Sequence, residues 1–375
     1  MMNGDSKVSA PPSSFVSTTQ LVFDKIPIVD WALSESDPAT FYEQLRTAFE
    51  DVGFGVFINI PGFEEEFQQK IFAYSEQFYS KPQAWKDAIS TEKSKAMRGY
   101  FRGEDVEEDN KSFAEGYRFG TDVPEPVAQG DEEIPFWRTL QEGPNQWPPE
   151  ADIPGFRSAI ETLFERYIAL NLSLNKHICT LLDIPESAIS DYYTEEPNGT
   201  AAIWRYLPLT PERRATAKNG FVNGMHEHRD PSTMITCLIQ SRPGLQVQNH
   251  AGEWIDVPMV KGGVVCNTGM QLMRLTGGKI VATTHRVNTM KIDKDRYTVP
   301  YAFSTRLEKP VLPLPKFAGR NAAKDHVPPS PQILKLHTIE DPLIRSGYAR
   351  LTLFPAAAAK LYPKEWAEAK EMGIL

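Results

Sequence analysis

The hydrophobic pattern of the chain changes character near residue 200. Before it, apolar positions recur mainly at three and four. After it, they fall in short runs broken by Gly, Pro and Asn. In the first half, Phe41, Leu45, Ala48, Phe49 and Val52 share one face of a helix predicted over 40–51, with Asp37-Pro38 as cap and first-turn proline. Phe67, Ile71, Tyr74 and Phe78 do the same for a helix over about 64–79. Lys25 to Asp30 reads as a short strand in which Pro27 fits only an edge or a strand start. Val56 to Ile60 reads as a second strand, stopped by Pro61-Gly62. Strand, helix, strand, helix implies α/β packing at the front of the molecule.

Residues 96–150 are irregular. An acidic run from Glu104 to Asp109 reads as a solvated loop, and 113–120 as a short strand before a proline-rich crossing at Gln146 to Pro149. Pro154 to Leu182 carries the longest helical stripe, and His177 beside it reads as a packed histidine rather than a ligand. From about Ala201, strands are expected at 201–206, 234–239, 245–248, 254–257, 263–267, 280–283 and 297–303, which indicates an antiparallel sandwich or barrel. A Val327-Pro328-Pro329 loop then leads to a helical stretch at about 347–362, with a continuation toward Met372 left open.

Composition narrows the function classes. With 375 residues, 41% of them hydrophobic, the chain is long enough for one large core or two joined ones. A net charge of -9 without a long run of one sign argues against nucleic acid as a partner. No apolar run approaches a membrane span, and residues 1–22 read as a disordered leader rather than a secretory signal. The three cysteines are widely spaced and form neither a disulfide framework nor a zinc knuckle. A cytoplasmic protein with no membrane partner is the expectation; the oligomeric state is not addressed by the sequence.

The chemistry lies in the strand-rich half. His228 and Asp230 are two apart, and on a strand such side chains point the same way. With His285 they would make a set of two histidines and a carboxylate, which suits an octahedral iron with open positions. His-x-Asp alone arises often by chance, and His226 leaves an alternative pair of His226 with His228. Zinc also accepts such donors, but no His-Glu-x-x-His helix is present.

What flanks these residues is more specific. Gly244-Leu245-Gln246-Val247, Trp254-Ile255-Asp256-Val257-Pro258, Val265-Cys266-Asn267-Thr268-Gly269, His285-Arg286-Val287 and Arg296-Tyr297-Thr298 follow His228 in order. Together with Ile26-Pro27-Ile28-Val29-Asp30 and Asp51-Val52-Gly53-Phe54-Gly55, this series resembles the iron(II)/2-oxoglutarate-dependent dioxygenase superfamily, in its isopenicillin N synthase-like branch, over about residues 25–310. The resemblance implies an α+β fold: a double-stranded β-helix (jelly-roll) core flanked by helices, with an N-terminal α/β segment packed on it. It implies a division into an N-terminal segment at 23–150, a catalytic core at 151–310 and a C-terminal covering at 311–375.

It further implies His228, Asp230 and His285 as ligands of Fe(2+), 2-oxoglutarate and O2 as cosubstrates, and ascorbate as an optional reductant. Arg296 and Thr298 would hold the distal carboxylate of 2-oxoglutarate, for which a bidentate arginine is suited. Tyr206, in Arg205-Tyr206-Leu207-Pro208, stands where many relatives carry a cosubstrate tyrosine. The implied reaction is hydroxylation, desaturation or ring rearrangement of a small molecule, with secondary metabolism as the setting. Arg98, Tyr100, Phe101, Glu104, Arg205, Tyr206 and Phe303 are candidates for the substrate wall. Pro231-Ser232 after the metal aspartate departs from the family pattern, and the distance from Asp230 to Gln240 suggests a bulge. An oxidase without 2-oxoglutarate, an ethylene-forming type signalled by Thr276-Gly277-Gly278, and a silent binding module are the alternatives.

Overall fold

The computed structural model describes residues 22–103, 114–128, 130, 133–193, 199–306, 309–320, 335 and 339–375. Residues 1–21 of the expected leader, the acidic run with Glu104, and the Val327-Pro328-Pro329 loop lie outside the described residues.

Among the described residues the strands are β1 (Ile28–Asp30), β2 (Phe54–Ile58), β3 (Gly99–Arg102), β4 (Ala114–Gly120), β5 (Gly199–Tyr206), β6 (Asn223–His228), β7 (Ile235–Gln240), β8 (Leu245–Gln248), β9 (Trp254–Asp256), β10 (Val264–Thr268), β11 (His285–Asn288) and β12 (Arg296–Phe303). They form a major sheet, β1-β2-β10-β7-β12-β5-β4-β3, and a minor sheet, β6-β11-β8-β9. This is the jelly-roll core flanked by helices that the sequence implied.

The N-terminal strands extend that core. β1 and β2 pair in parallel across the helix Pro38–Arg46, and β2 then pairs with β10. β4 pairs with β5 and carries β3 at the far edge. The N-terminal segment therefore lengthens the major sheet at both ends. β1 is an edge strand, which is where the neighbouring Pro27 is tolerated.

Alternation divides the major sheet into two faces. Cys237, Ile239, Val299 and Tyr301 point to the back, where the 26-residue helix Phe156–Leu181 packs. Tyr167 of that helix donates to the Val299 carbonyl at 2.7 Å and accepts from the Ile239 N–H at 2.9 Å, tying helix to sheet. His177 sits among Trp31, Phe41 and Tyr42 and bonds the Tyr42 hydroxyl at 3.1 Å, as a packed histidine should. The other face, with Thr236, Leu238, Gln240, Trp204, Tyr206, Arg296 and Thr298, turns toward the interior.

Several elements differ from expectation. No strand forms at 280–283; the strand begins at His285. The register irregularity lies in the β6–β11 pairing, between His285 and Val287. The C-terminal stretch forms three helices, Pro342–Leu351, Pro355–Leu361 and Pro363–Glu371, because Pro355 and Pro363 cannot continue the helix before them. They cover Phe101, Leu140 and Trp204. Thr276-Gly277-Gly278 ends the helix Met270–Leu275: Thr276 donates to the Leu272 carbonyl, and both glycines take positive φ.

Candidate active site

His228 ends β6 and His285 opens β11, and the two are directly paired across the minor sheet. Their rings lie 4.3 Å apart between centroids. Asp230 falls two residues past the end of β6, in the turn to β7. It reaches both rings, with Oδ1 3.6 Å from His228 Nε2 and 3.7 Å from His285 Nε2. One ligand atom from each residue lies within 4.8 Å of the other two. The expectation that both first ligands sit on a strand is corrected here. Asp230 is turned inward by a loop, and the turn through Pro231 and Ser232 does this.

The surroundings fix which atoms face inward. His228 Nδ1 lies 2.9 Å from the His226 carbonyl and His285 Nδ1 3.0 Å from the Thr283 carbonyl. A carbonyl can only accept, so each Nδ1 carries a proton and each Nε2 is the ring atom turned toward Asp230. Asp230 Oδ2 accepts from Thr236 Oγ1 at 2.6 Å and Asn267 Nδ2 at 2.9 Å, leaving Oδ1 for a cation. Burial alone would raise the Asp230 carboxyl; the hydrogen bond from His228, the charge of the two histidines and the Thr236 hydroxyl hold it well below its usual range. Burial and the neighbouring His228 push the His285 imidazole down to about 4, toward the neutral form that a metal needs.

His226 is exposed and lies outside the cluster; its backbone carbonyl orients His228. Thus two imidazole nitrogens and one carboxylate oxygen converge with their other polar atoms already engaged. That donor set fits a divalent iron with open positions.

The N-terminal segment braces this centre. The Phe54 ring meets His285 edge-on at 5.0 Å. Gly53 takes φ +74°, and a Cβ there would meet Thr283 Oγ1 at 2.5 Å, so only glycine lets β2 approach the Thr283 loop that orients His285.

Further along the same interior lies Arg296, 1% exposed. Its Nε donates to the Arg242 carbonyl at 3.0 Å and its Nη2 to Gln240 Oε1 at 2.9 Å, while the buried Nη1 has no partner among the described residues. No described carboxylate pairs with it, and burial lowers its pKa to about 10. A buried guanidinium without a counter-ion is costly, and the free Nη1 suits a ligand carboxylate. The Tyr206 ring lies 5.0 Å from this guanidinium. Thr298, 4% exposed, lies on the same face of β12, and the Tyr206 hydroxyl feels both groups.

The wall candidates separate. Arg98 is held by the Thr121 and Gln141 carbonyls and Asn145, and Tyr100 by Glu115. Arg205 pairs with Glu115 and Asp295 on the outer face, and Phe303 packs on Tyr193. These four are structural. Phe101 and Tyr206 face the interior side. Reasoning from the sequence missed Gln240, Thr236 and Asn267. Only the Asn in Val265-Cys266-Asn267-Thr268-Gly269 was signalled, and without a role.

A metal-type triad and an unpaired arginine inside a jelly roll define a non-haem iron oxygenase with an acidic cosubstrate. The model described as "non-haem dioxygenase in morphine synthesis N-terminal" matches residues 26–150, and that of the 2OG-Fe(II) oxygenase superfamily matches 200–305. The chain is 33% identical over 270 residues to a 2-oxoglutarate-dependent dioxygenase of Gibberella zeae, covering 71% of this chain and 68% of that protein. It is 30% identical over 286 residues to the 2-oxoglutarate-dependent dioxygenase frbJ of a Dothideomycetidae species, covering 74% of each. The solved structure of a full-length Neurospora crassa protein in complex with alpha-KG and 5-formyluracil matches with a TM-score of 0.64 at 25% identity, over 81% of this chain and 91% of that one.

The chain belongs to the 2OG-Fe(II) oxygenase superfamily and is an iron(II)- and 2-oxoglutarate-dependent dioxygenase acting on a small molecule. Among the described residues, no helix is long and apolar enough to cross a membrane.

Proposed function

We propose that His228, Asp230 and His285 hold the iron and that Arg296, with Thr298 and Tyr206, holds the distal carboxylate of 2-oxoglutarate. The unpaired Nη1 of buried Arg296, on the interior face that also carries Thr236, is the observation that carries this reading. Iron, when bound, supplies oxygen activation coupled to conversion of 2-oxoglutarate to succinate and carbon dioxide. The chain supplies position. Thr236 and Asn267 keep Asp230 Oδ2 turned away so that Oδ1 can ligate, and the His226 and Thr283 carbonyls fix the imidazole tautomers. Gln240 and the Arg242 carbonyl hold the guanidinium so that little side-chain entropy is lost on binding.

The product is a hydroxylated, desaturated or ring-rearranged small molecule, and the branch the sequence resembles favours secondary metabolism. Within 23–150 the described strands brace the centre, 151–310 supply its ligands, and the described helices Pro342–Leu351, Pro355–Leu361 and Pro363–Glu371 pack on Phe101 and Trp204. A cytoplasmic setting accords with three free, buried cysteines.

Anaerobic titration with iron(II) and 2-oxoglutarate tests the assignment: a weak visible charge-transfer band is expected, and His285→Ala abolishes it. Retention of the band in that variant sinks the ligand assignment, and substrate turnover without 2-oxoglutarate sinks the cosubstrate assignment. A screen of candidate metabolites by mass spectrometry then separates gain of one oxygen from loss of two hydrogens.

A further inference from the structure

A second buried arginine without a carboxylate partner among the described residues lies on the interior face of the major sheet. Arg118 of β4 is 8% exposed and pairs in register with Ala202 of β5. By alternation it shares its face with Gly116 and hence with Trp204 and Tyr206, on the side that bears Arg296 and Thr298. Among the described residues no hydrogen bond or carboxylate reaches Arg118, nor does one reach Arg350 of the helix Pro342–Leu351. The described ring against the Arg118 guanidinium is Phe354, 5.1 Å away. Arg98 next to it differs, because its guanidinium is bonded to two carbonyls and Asn145. Burial, then the charges of Arg350 and Arg98, push Arg118 well below its ordinary pKa. A local excess of positive charge in a water-poor place attracts an anion.

A continuous aromatic wall joins this charge to the cosubstrate pole. Phe354 meets Phe101 at 5.0 Å, Phe101 meets Trp204 edge-on at 4.9 Å, and Trp204 stacks on Tyr206 at 6.1 Å beneath Arg296. Gly116 makes the wall feasible: a Cβ there would stand 2.2 Å from the Phe101 ring. At about 4.8 Å per strand, β4 lies three strand steps, about 14 Å, from β7 and its Thr236. The arginine side chain spans part of that distance.

We propose that Arg118, assisted by Arg350, binds a carboxylate of the substrate, and that the substrate is an aromatic or apolar monocarboxylic acid laid along the Phe354–Phe101–Trp204 wall. The assignment rests on the iron and 2-oxoglutarate reading above and adds the substrate class to it. Two arginines at this end of the interior give a planar acid group the paired donors it prefers. The apolar body then lies between this pole and the metal, with no acid group directed at Arg296, which 2-oxoglutarate occupies.

The test uses the full-length protein, anaerobic, with iron(II) and saturating 2-oxoglutarate. Benzoate, 3-phenylpropanoate, indole-3-carboxylate and octanoate are titrated against their uncharged amides, with affinity read by calorimetry and melting temperature. At least one acid is expected to bind tenfold or more tightly than its amide. Arg118→Met and Arg350→Gln are each expected to remove that preference. Arg118→Met should also melt higher than wild type without ligand, because an unpaired buried charge is gone; a purely structural arginine would give a lower melting temperature. Acids and amides binding alike in wild type, no acid binding at all, or an unchanged preference in both variants overturns the proposal. Should Arg118→Met fail to fold, Arg350→Gln and the wild-type acid-amide comparison still decide. A wild-type protein lacking the charge-transfer band fails the underlying reading instead; a normal band without acid preference fails this one alone.

Discussion

At the scale of single residues, the site depends on side chains that orient others. Asn267 and Thr236 share one oxygen of Asp230. Asn267→Ala frees that oxygen to rotate and is expected to weaken iron(II) affinity by about 10–100-fold with the fold intact, as loss of an orienting partner does at other metal sites; an anaerobic metal titration checks it. Arg296→Gln removes a charge-assisted pair worth about 1.5–3 kcal/mol. An increase of about 10–100-fold in the apparent KM for 2-oxoglutarate is expected, with little change in iron affinity. His228, Asp230, His285 and Arg296 could be named as candidates from the sequence because the motifs that carry the family resemblance contain them, and the structure brings the first three together. Thr236 and Gln240 could not be named, since a Thr or Gln on a strand carries no signal until another residue is brought against it.

At the scale of elements, the strands were largely legible and their ends were not. β8 was expected at its observed bounds, and β5, β7, β10 and β12 within one or two residues, because short apolar runs between turn residues report a strand. β11 was placed too early. Its pattern, His285 to Asn288, carries buried polar groups: His285 belongs to the triad and Asn288 bonds Gly220 and Met290. The long helix Phe156–Leu181 followed its stripe, yet its most informative contact is polar. Tyr167 bridges β7 and β12 through its hydroxyl. Tyr167→Phe leaves a buried N–H and a buried carbonyl unmet and is expected to destabilise the protein by about 2–3 kcal/mol. Chemical denaturation is the measurement, and a change under about 0.5 kcal/mol would refute the bridging role, since a single net hydrogen bond is worth at least that much.

At the scale of the whole molecule, the N-terminal segment and the core meet through a buried charge network. Glu115 of β4 accepts from Lys86, Tyr100 and Arg205, with Arg205 also held by Asp295. Burial alone would raise the Glu115 carboxyl, but the bonds from Lys86, Tyr100 and Arg205 outweigh it and hold its pKa below the ordinary value. A folded-state pKa lowered in this way contributes stability that is present above the ordinary glutamate value and is lost as pH falls through the folded value. The acid limb of the unfolding curve should therefore be shallower in Glu115→Gln, whose stability is also lower at neutral pH; equal acid slopes would count against the network. What the sequence by itself determined was local: the helix stripes, the strand alternation, the donor types of the triad, and the ordered series of motifs that implied the family. Tertiary structure alone decided the rest. It turned Asp230 inward from a loop, spread the N-terminal strands to both edges of one sheet, and left Arg118 buried without a counter-ion among the described residues. Those facts depend on which distant residues share a face, and a linear pattern records only a residue's own periodicity.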